Sequence, residues 1–187
     1  MSEFCKQKGE QHDATLSRAC KSAQDCTRGM GELCADGTVE SRETLLEGAT
    51  HSEEAKNLFA RGYNCAQAVF AAFCDETGLD MKTALLLSSS FGGGMGRLRE
   101  VCGALTGMFM VAGIKFGYVD SKDKSAKAEH NKLIQSLALR FKERNGSYLC
   151  RQLRGISDQE AGGKEVRSCA ELVEYAAEAL DELINQR

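Results

Sequence analysis

A chain of 187 residues with 24 Lys and Arg against 27 Asp and Glu carries a formal net charge of -3, and its length suits one domain with a real core. No basic run is clustered enough for a nucleic-acid partner, and the apolar run at 101–114 falls short of the roughly 18 to 20 residues needed to span a bilayer. The opening MSEFCKQKGEQHD lacks the apolar core of a secretory leader, so the cytoplasm is the expected compartment.

Proline is absent, where average usage of about 5% would supply about nine. With the commonest helix breaker missing, the expected fold is all-α. The nine cysteines form an odd, high count, which in a reducing compartment favours metal binding or redox chemistry over a disulfide framework.

Residues 1–45 read as a polar extension with poor periodicity, and 46–187 as a helical domain. The extension carries Cys5, Cys20, Cys26 and Cys34, separated by gaps of 14, 5 and 7 residues. None of these gaps makes the CxxC pair of a typical zinc or iron–sulfur loop. A second metal site with His12 in reach is one reading; a loosely ordered extension with free thiols is the other.

From Thr50 the helical pattern sharpens. Thr50 or Ser52 caps a helix with Glu53 and Glu54 in its first turn and Gly62 as its stop. Asn64 and Gln67 form a capping box for the next helix, whose apolar face is Ala66, Val69, Phe70 and Phe73. Cys65 is its first residue, against unpaired N–H groups at the positive end of the dipole, a place that lowers a thiol pKa. Cys74 falls on the opposite side and reads as buried or idle. Gly78 ends this helix, and Asp80 caps a short one leading to a glycine turn at 91–94.

The turn opens a helix expected at about 98–118, the predicted buried centre of the bundle. Its apolar run has Thr106 as the sole polar side chain besides the Cys102 thiol, so it offers no solvated face. Gly103 and Gly107 share one face, with Gly113 and Gly117 repeating the spacing. Each helical glycine costs about 1 kcal/mol relative to alanine, so something must approach closely, either a neighbouring helix or a cofactor near Cys102.

Asp120 or Ser121 is the expected start of a long amphipathic helix to about Asn145, with His130 on its apolar side as a ligand or a satisfied, partly buried side chain. Ser147 caps a short helix holding Cys150 and stopped by Gly155, and Ser157 to Ala161 form a brief helical turn. Ser168 and Glu171 make another capping box, with Cys169 as first helical residue. The face Leu172, Val173, Tyr175, Ala176, Ala179, Leu180 and Leu183 is expected against the central helix.

Cys65, Cys150 and Cys169 thus stand in first helical turns, and Cys102 soon after a turn. If the four converge they can ligate an iron–sulfur cluster or a tetrahedral metal such as zinc, or act as redox dithiols without metal. Gaps of 36, 47 and 18 residues form no local ligand loop. Gly92, Gly93, Gly94 and Gly103 are the candidate cofactor contacts, since N–H groups of such a turn donate to thiolates or sulfides; a plain tight turn between helices is the other reading. Gly94-Met95-Gly96 with Arg97 and Arg99 completes neither GxGxxG nor GxxxxGK and follows no strand, so a nucleotide loop is not expected.

The blocks GYNCAQAVF, GGGMGR, CGALTG, FKERNGSYLCRQLRG and CAELVEYAAEAL, in that order over 50–183, resemble the C_GCAxxG_C_C family, a family described as redox-active. The resemblance carries the four family cysteines onto Cys65, Cys102, Cys150 and Cys169, and implies a compact helical domain with a redox role. A similar domain in split-Soret-type cytochromes implies an iron–sulfur centre, although this chain has no CxxCH for haem. Three functions follow as expectations: an iron–sulfur electron carrier, a metal-free thiol–disulfide protein or sensor, or a zinc- or partner-binding helical module. The first two call for a redox partner protein that no residue identifies, and a homodimer is compatible with all three.

Overall fold

Side-chain caps decide where most of the helices of the computed structural model begin. The structure describes residues 49–156 and 167–186, which hold eight α-helices and no strand, so the all-α expectation holds. The expectations for Cys5, His12, Cys20, Cys26, Cys34 and the turn from Ser157 to Ala161 lie outside the described residues.

Three reciprocal capping boxes form: those at Asn64 and Ser168 are the expected ones, and at the first helix, where Thr50 or Ser52 is the expected cap, Thr50 takes the place with Glu53 as its partner. Thr50 and Glu53 start α1 (His51–Ala60), Asn64 and Gln67 start α2 (Cys65–Ala72), and Ser168 and Glu171 start α8 (Cys169–Asn185). Between them, α3 (Cys74–Thr77) ends at left-handed Gly78, and Asp80 caps α4 (Met81–Ser88) by accepting from the Thr83 N–H. A 3₁₀ turn, Ser89–Phe91, follows.

The next three helices start later than expected, each for a local reason. Helix α5 spans Gly103–Phe116, because Gly93, Gly94, Met95, Gly96, Arg97 and Arg99 all have positive φ and a right-handed helix cannot run through them. Helix α6 (Lys124–Asn145) starts from Asp123. The expected cap Asp120 instead accepts from the Lys122 N–H at 2.8 Å, closing an Asx turn. Helix α7 (Cys150–Leu153) has Leu149 at its N-cap with no side-chain bond, because the Ser147 hydroxyl is spent on the Leu149 N–H at 3.0 Å and on the Gln152 amide.

The centre is a pair of helices, α2 and α5. All of α2 is buried except Gln67, and α5 is buried from Gly103 to Met108 and again at Val111 and Ala112. Its far end opens to solvent at Ile114. Of the four spaced glycines, Gly103 and Gly107 face α2, and a Cβ on Gly107 would lie 2.9 Å from the Ala66 carbonyl oxygen and 3.0 Å from the Val69 Cβ. Gly113 faces open space, and Gly117 lies past the helix end, so the repeat has no structural use there. Helix α8 covers α1, α2 and α5 with Leu172, Val173, Ala176, Ala177, Ala179 and Leu180 buried; Tyr175 and Leu183 are partly buried against the core. His130 is the satisfied side chain, its Nδ1 3.2 Å from the Phe116 carbonyl oxygen and its ring edge-on to Tyr118. Among the described residues, no helix is long and apolar enough to cross a membrane.

His51, a residue the sequence pattern does not single out, bolts three helices together. Its ring stacks on Phe73 at 4.1 Å, its Nε2 lies 3.1 Å from the Asp75 carboxylate, and its Nδ1 bonds Asp181 on α8. Burial opposes protonation of the ring, but hydrogen bonds from Asp181 and Asp75 and their charge outweigh it, and the pKa lies above 6.5. A histidine pKa raised by folding contributes stability that is complete below the unfolded value and lost as pH rises through the folded one. The thermal stability advantage of wild type over His51→Gln should therefore shrink as pH climbs above 6.5; melting curves giving a constant or growing advantage would contradict this assignment. Gly107→Ala should cost about 1–3 kcal/mol in denaturant unfolding, the usual range for overpacking.

Candidate functional site

The four candidate cysteines come from four separate helix starts and line one small cavity of about 30 Å³, together with Gly93, Arg99, Leu153, Arg154 and Leu172. Cys65, Cys150 and Cys169 are the first residues of α2, α7 and α8, and Cys102 is the N-cap of α5. Cys65, Cys102 and Cys150 are buried, Cys169 is partly exposed, and all four are free thiols.

Backbone pairing closes the long sequence gap between Cys102 and Cys150. The Cys102 N–H donates to the Tyr148 carbonyl at 2.9 Å, the Cys150 N–H to Glu100 at 2.6 Å, and the Arg151 N–H to Arg99 at 3.0 Å. An isolated antiparallel bridge joins Val101 to Leu149. One residue pair on each side is too short to leave a strand pattern in the sequence, which is why this link is invisible there.

The glycines make room for the cysteines. A Cβ on Gly103 would stand 2.4 Å from the Cys65 sulfur, and one on Gly94 would stand 2.7 Å from the Cys150 Cβ. Gly92 serves the cap, since its Cβ would meet the Asn64 Cγ at 2.5 Å. Gly93 alone of the three turn glycines lines the cavity, and its N–H is directed at the Cys65 sulfur.

Burial decides the charge state of the inner thiols. It pushes Cys65 above the ordinary thiol value of 9.0 despite the Gly93 N–H, and takes Cys102 to about 12, where the Leu105 and Ala104 N–H groups oppose it. The expectation that the helix start lowers the Cys65 pKa is therefore corrected: loss of water outweighs the end of the dipole. Around the other two sulfurs, Arg154 Nη1 donates to the partly exposed Cys169 at 3.3 Å, and Arg99 Nη1 lies 4.0 Å from the buried Cys150. Cys74 is half-buried and absent from the cavity lining, and burial followed by the charges of Asp75 and Asp80 takes it to about 11.

The donor set has a definite chemical character. Among the described residues no carboxylate or imidazole lines the cavity, so a guest would meet thiol sulfur with N–H and guanidinium donors behind it, surroundings that suit an iron–sulfur centre. Zn–S bonds of about 2.3 Å would bring tetrahedral sulfurs within roughly 3.8 Å of one another. Among the described residues no three Cys, His, Asp or Glu side chains are grouped to hold one ion. A cluster distributes its thiolates over several irons, and the cavity of about 30 Å³ would have to widen to admit one.

Neither the curated proteins nor the solved structures contain a match to this sequence. A family model does match, described as "Putative redox-active protein (C_GCAxxG_C_C)", over residues 63–183. That span exceeds half of the chain and includes all four cysteines of the cavity, and the chain belongs to this C_GCAxxG_C_C family of redox-active proteins.

Proposed function

We propose that the protein is an electron carrier in which Cys65, Cys102, Cys150 and Cys169 hold an iron–sulfur cluster. The observation that supports this most directly is four thiols from four helix starts around one cavity, with no carboxylate or imidazole beside them among the described residues. A cluster would supply one-electron exchange without moving a group. The chain's own residues supply the rest. Cys65 and Cys102 are held in a water-poor wall, where two uncompensated thiolates would repel each other. Arg154 and Arg99 bring positive charge to Cys169 and Cys150, and Gly93 directs an N–H at Cys65. A reducing compartment such as the cytoplasm keeps the ligand thiols available.

A second reading, metal-free dithiol chemistry, is favoured by the small volume between the thiols, which is near that of one water molecule. In that version, two thiols lose two electrons and two protons to a disulfide-bearing or other two-electron acceptor.

Anaerobic purification followed by iron, sulfide and visible-absorption assays separates the two. A brown protein with bound iron and sulfide is expected, and serine at any one of the four cysteines should remove most of the iron. A colourless protein after reconstitution with iron and sulfide would defeat the cluster. Counting thiols in the metal-free protein before and after mild oxidation then tests the second reading, which fails if all four stay free. Gly103→Ala should lower iron loading and cost about 1–3 kcal/mol of stability, because its Cβ would occupy the place of the Cys65 sulfur.

A further inference from the structure

We infer that the surface over the cysteine cavity is a docking face for an acidic one-electron carrier protein, an inference that rests on the redox reading above. Two segments, 97–101 and 148–156, lie side by side through the Cys150 to Glu100 and Arg151 to Arg99 backbone bonds, and the Ile156 N–H folds back to the Arg151 carbonyl at 2.9 Å. Together they carry Arg97, Arg99, Arg151 and Arg154 against a single carboxylate, Glu100. Arg151 already occupies that carboxylate at 2.7 Å. The chain as a whole has a net charge of -3, so this cationic face is a local concentration and not a reflection of composition.

The same face is apolar at its exposed points. Leu98 is 72% exposed and Ile156 is 55% exposed, and Arg97 is exposed between the turn glycines and Leu98, with no ion pair among the described residues. Weak electron-transfer encounters combine a small apolar contact with charge steering. Arg154 connects the face to the centre, since its exposed guanidinium donates to the Cys169 sulfur. A carrier with carboxylates around its own centre is steered here by attraction and arrives beside the sulfurs. A cluster held by the four cysteines would accept one electron from the reduced carrier, which is oxidised by one electron, with no proton or group transferred.

The test uses the reconstituted full chain, a reduced acidic plant-type ferredoxin as probe and the same ferredoxin with its surface carboxylates amidated as contrast. Stopped-flow mixing should give a faster reaction with the unmodified ferredoxin, falling steeply as salt rises. Arg97→Glu, which touches none of the four cysteines, should slow it by about tenfold at low salt while leaving the melting temperature and iron content unchanged. Leu98→Ser should slow it several-fold. A ferredoxin rate indifferent to salt and to Arg97→Glu, or an equal or faster reaction with the amidated form, would overturn the proposal. Sedimentation of the metal-free chain with oxidised ferredoxin tests the face without any electron transfer: salt-sensitive association lost in Arg97→Glu supports it even where the cluster assay fails, and no association sinks it. Self-association of the chain alone, broken by Arg97→Glu, would assign the face to a second copy and refute the acidic carrier.

Discussion

The contact between α2 and the start of α5 is the constraint on which the rest of the site depends. Gly103 has no side chain, so the sulfur of Cys65 can press against the α5 backbone. One turn later Gly107 lets the Ala66 carbonyl and Val69 do the same. The cost of two helical glycines, about 1 kcal/mol each, is offset by burial of nearly all of α2. Close packing and sulfur placement are therefore one feature: the helix pair cannot loosen without moving Cys65 away from Cys102.

Charge compensation determines what the cavity can do. Four thiols in a water-poor space cannot all ionise unaided, because each added thiolate raises the cost of the next. The structure treats them differently: burial opposes ionisation of Cys65 and Cys102, and Cys150 and Cys169 have guanidinium groups beside them. A cationic guest or an oxidative bond between sulfurs relieves the same tension by different chemistry, which is why the two redox readings share one site.

Much of this was legible in the residues, and what was not has physical causes. The boxes at Asn64 and Ser168 were readable because cap and partner sit three residues apart, and they located Cys65 and Cys169 at helix starts. The glycine spacing showed that something approaches α5, and the structure identifies it as α2. The pairing of 99–102 with 148–151 could not be seen, since it is made by main-chain atoms across nearly fifty residues. The thiol charge state was misjudged for Cys65 because a local pattern reports the dipole but not how much water the fold removes. His51 was overlooked because its partners, Asp75 and Asp181, are distant in sequence.

Helix α8 places two chemistries at its opposite ends. Cys169 stands in its first turn and Asp181 twelve residues on, about 18 Å away at 1.5 Å per residue. The imidazole latch therefore grips one pole of the rod and the sulfurs gather at the other. Fraying of the latch as pH rises can begin as a local opening, leaving the opposite pole assembled, so the pH-sensitive contact and the sulfur cavity occupy separate regions of the same small protein.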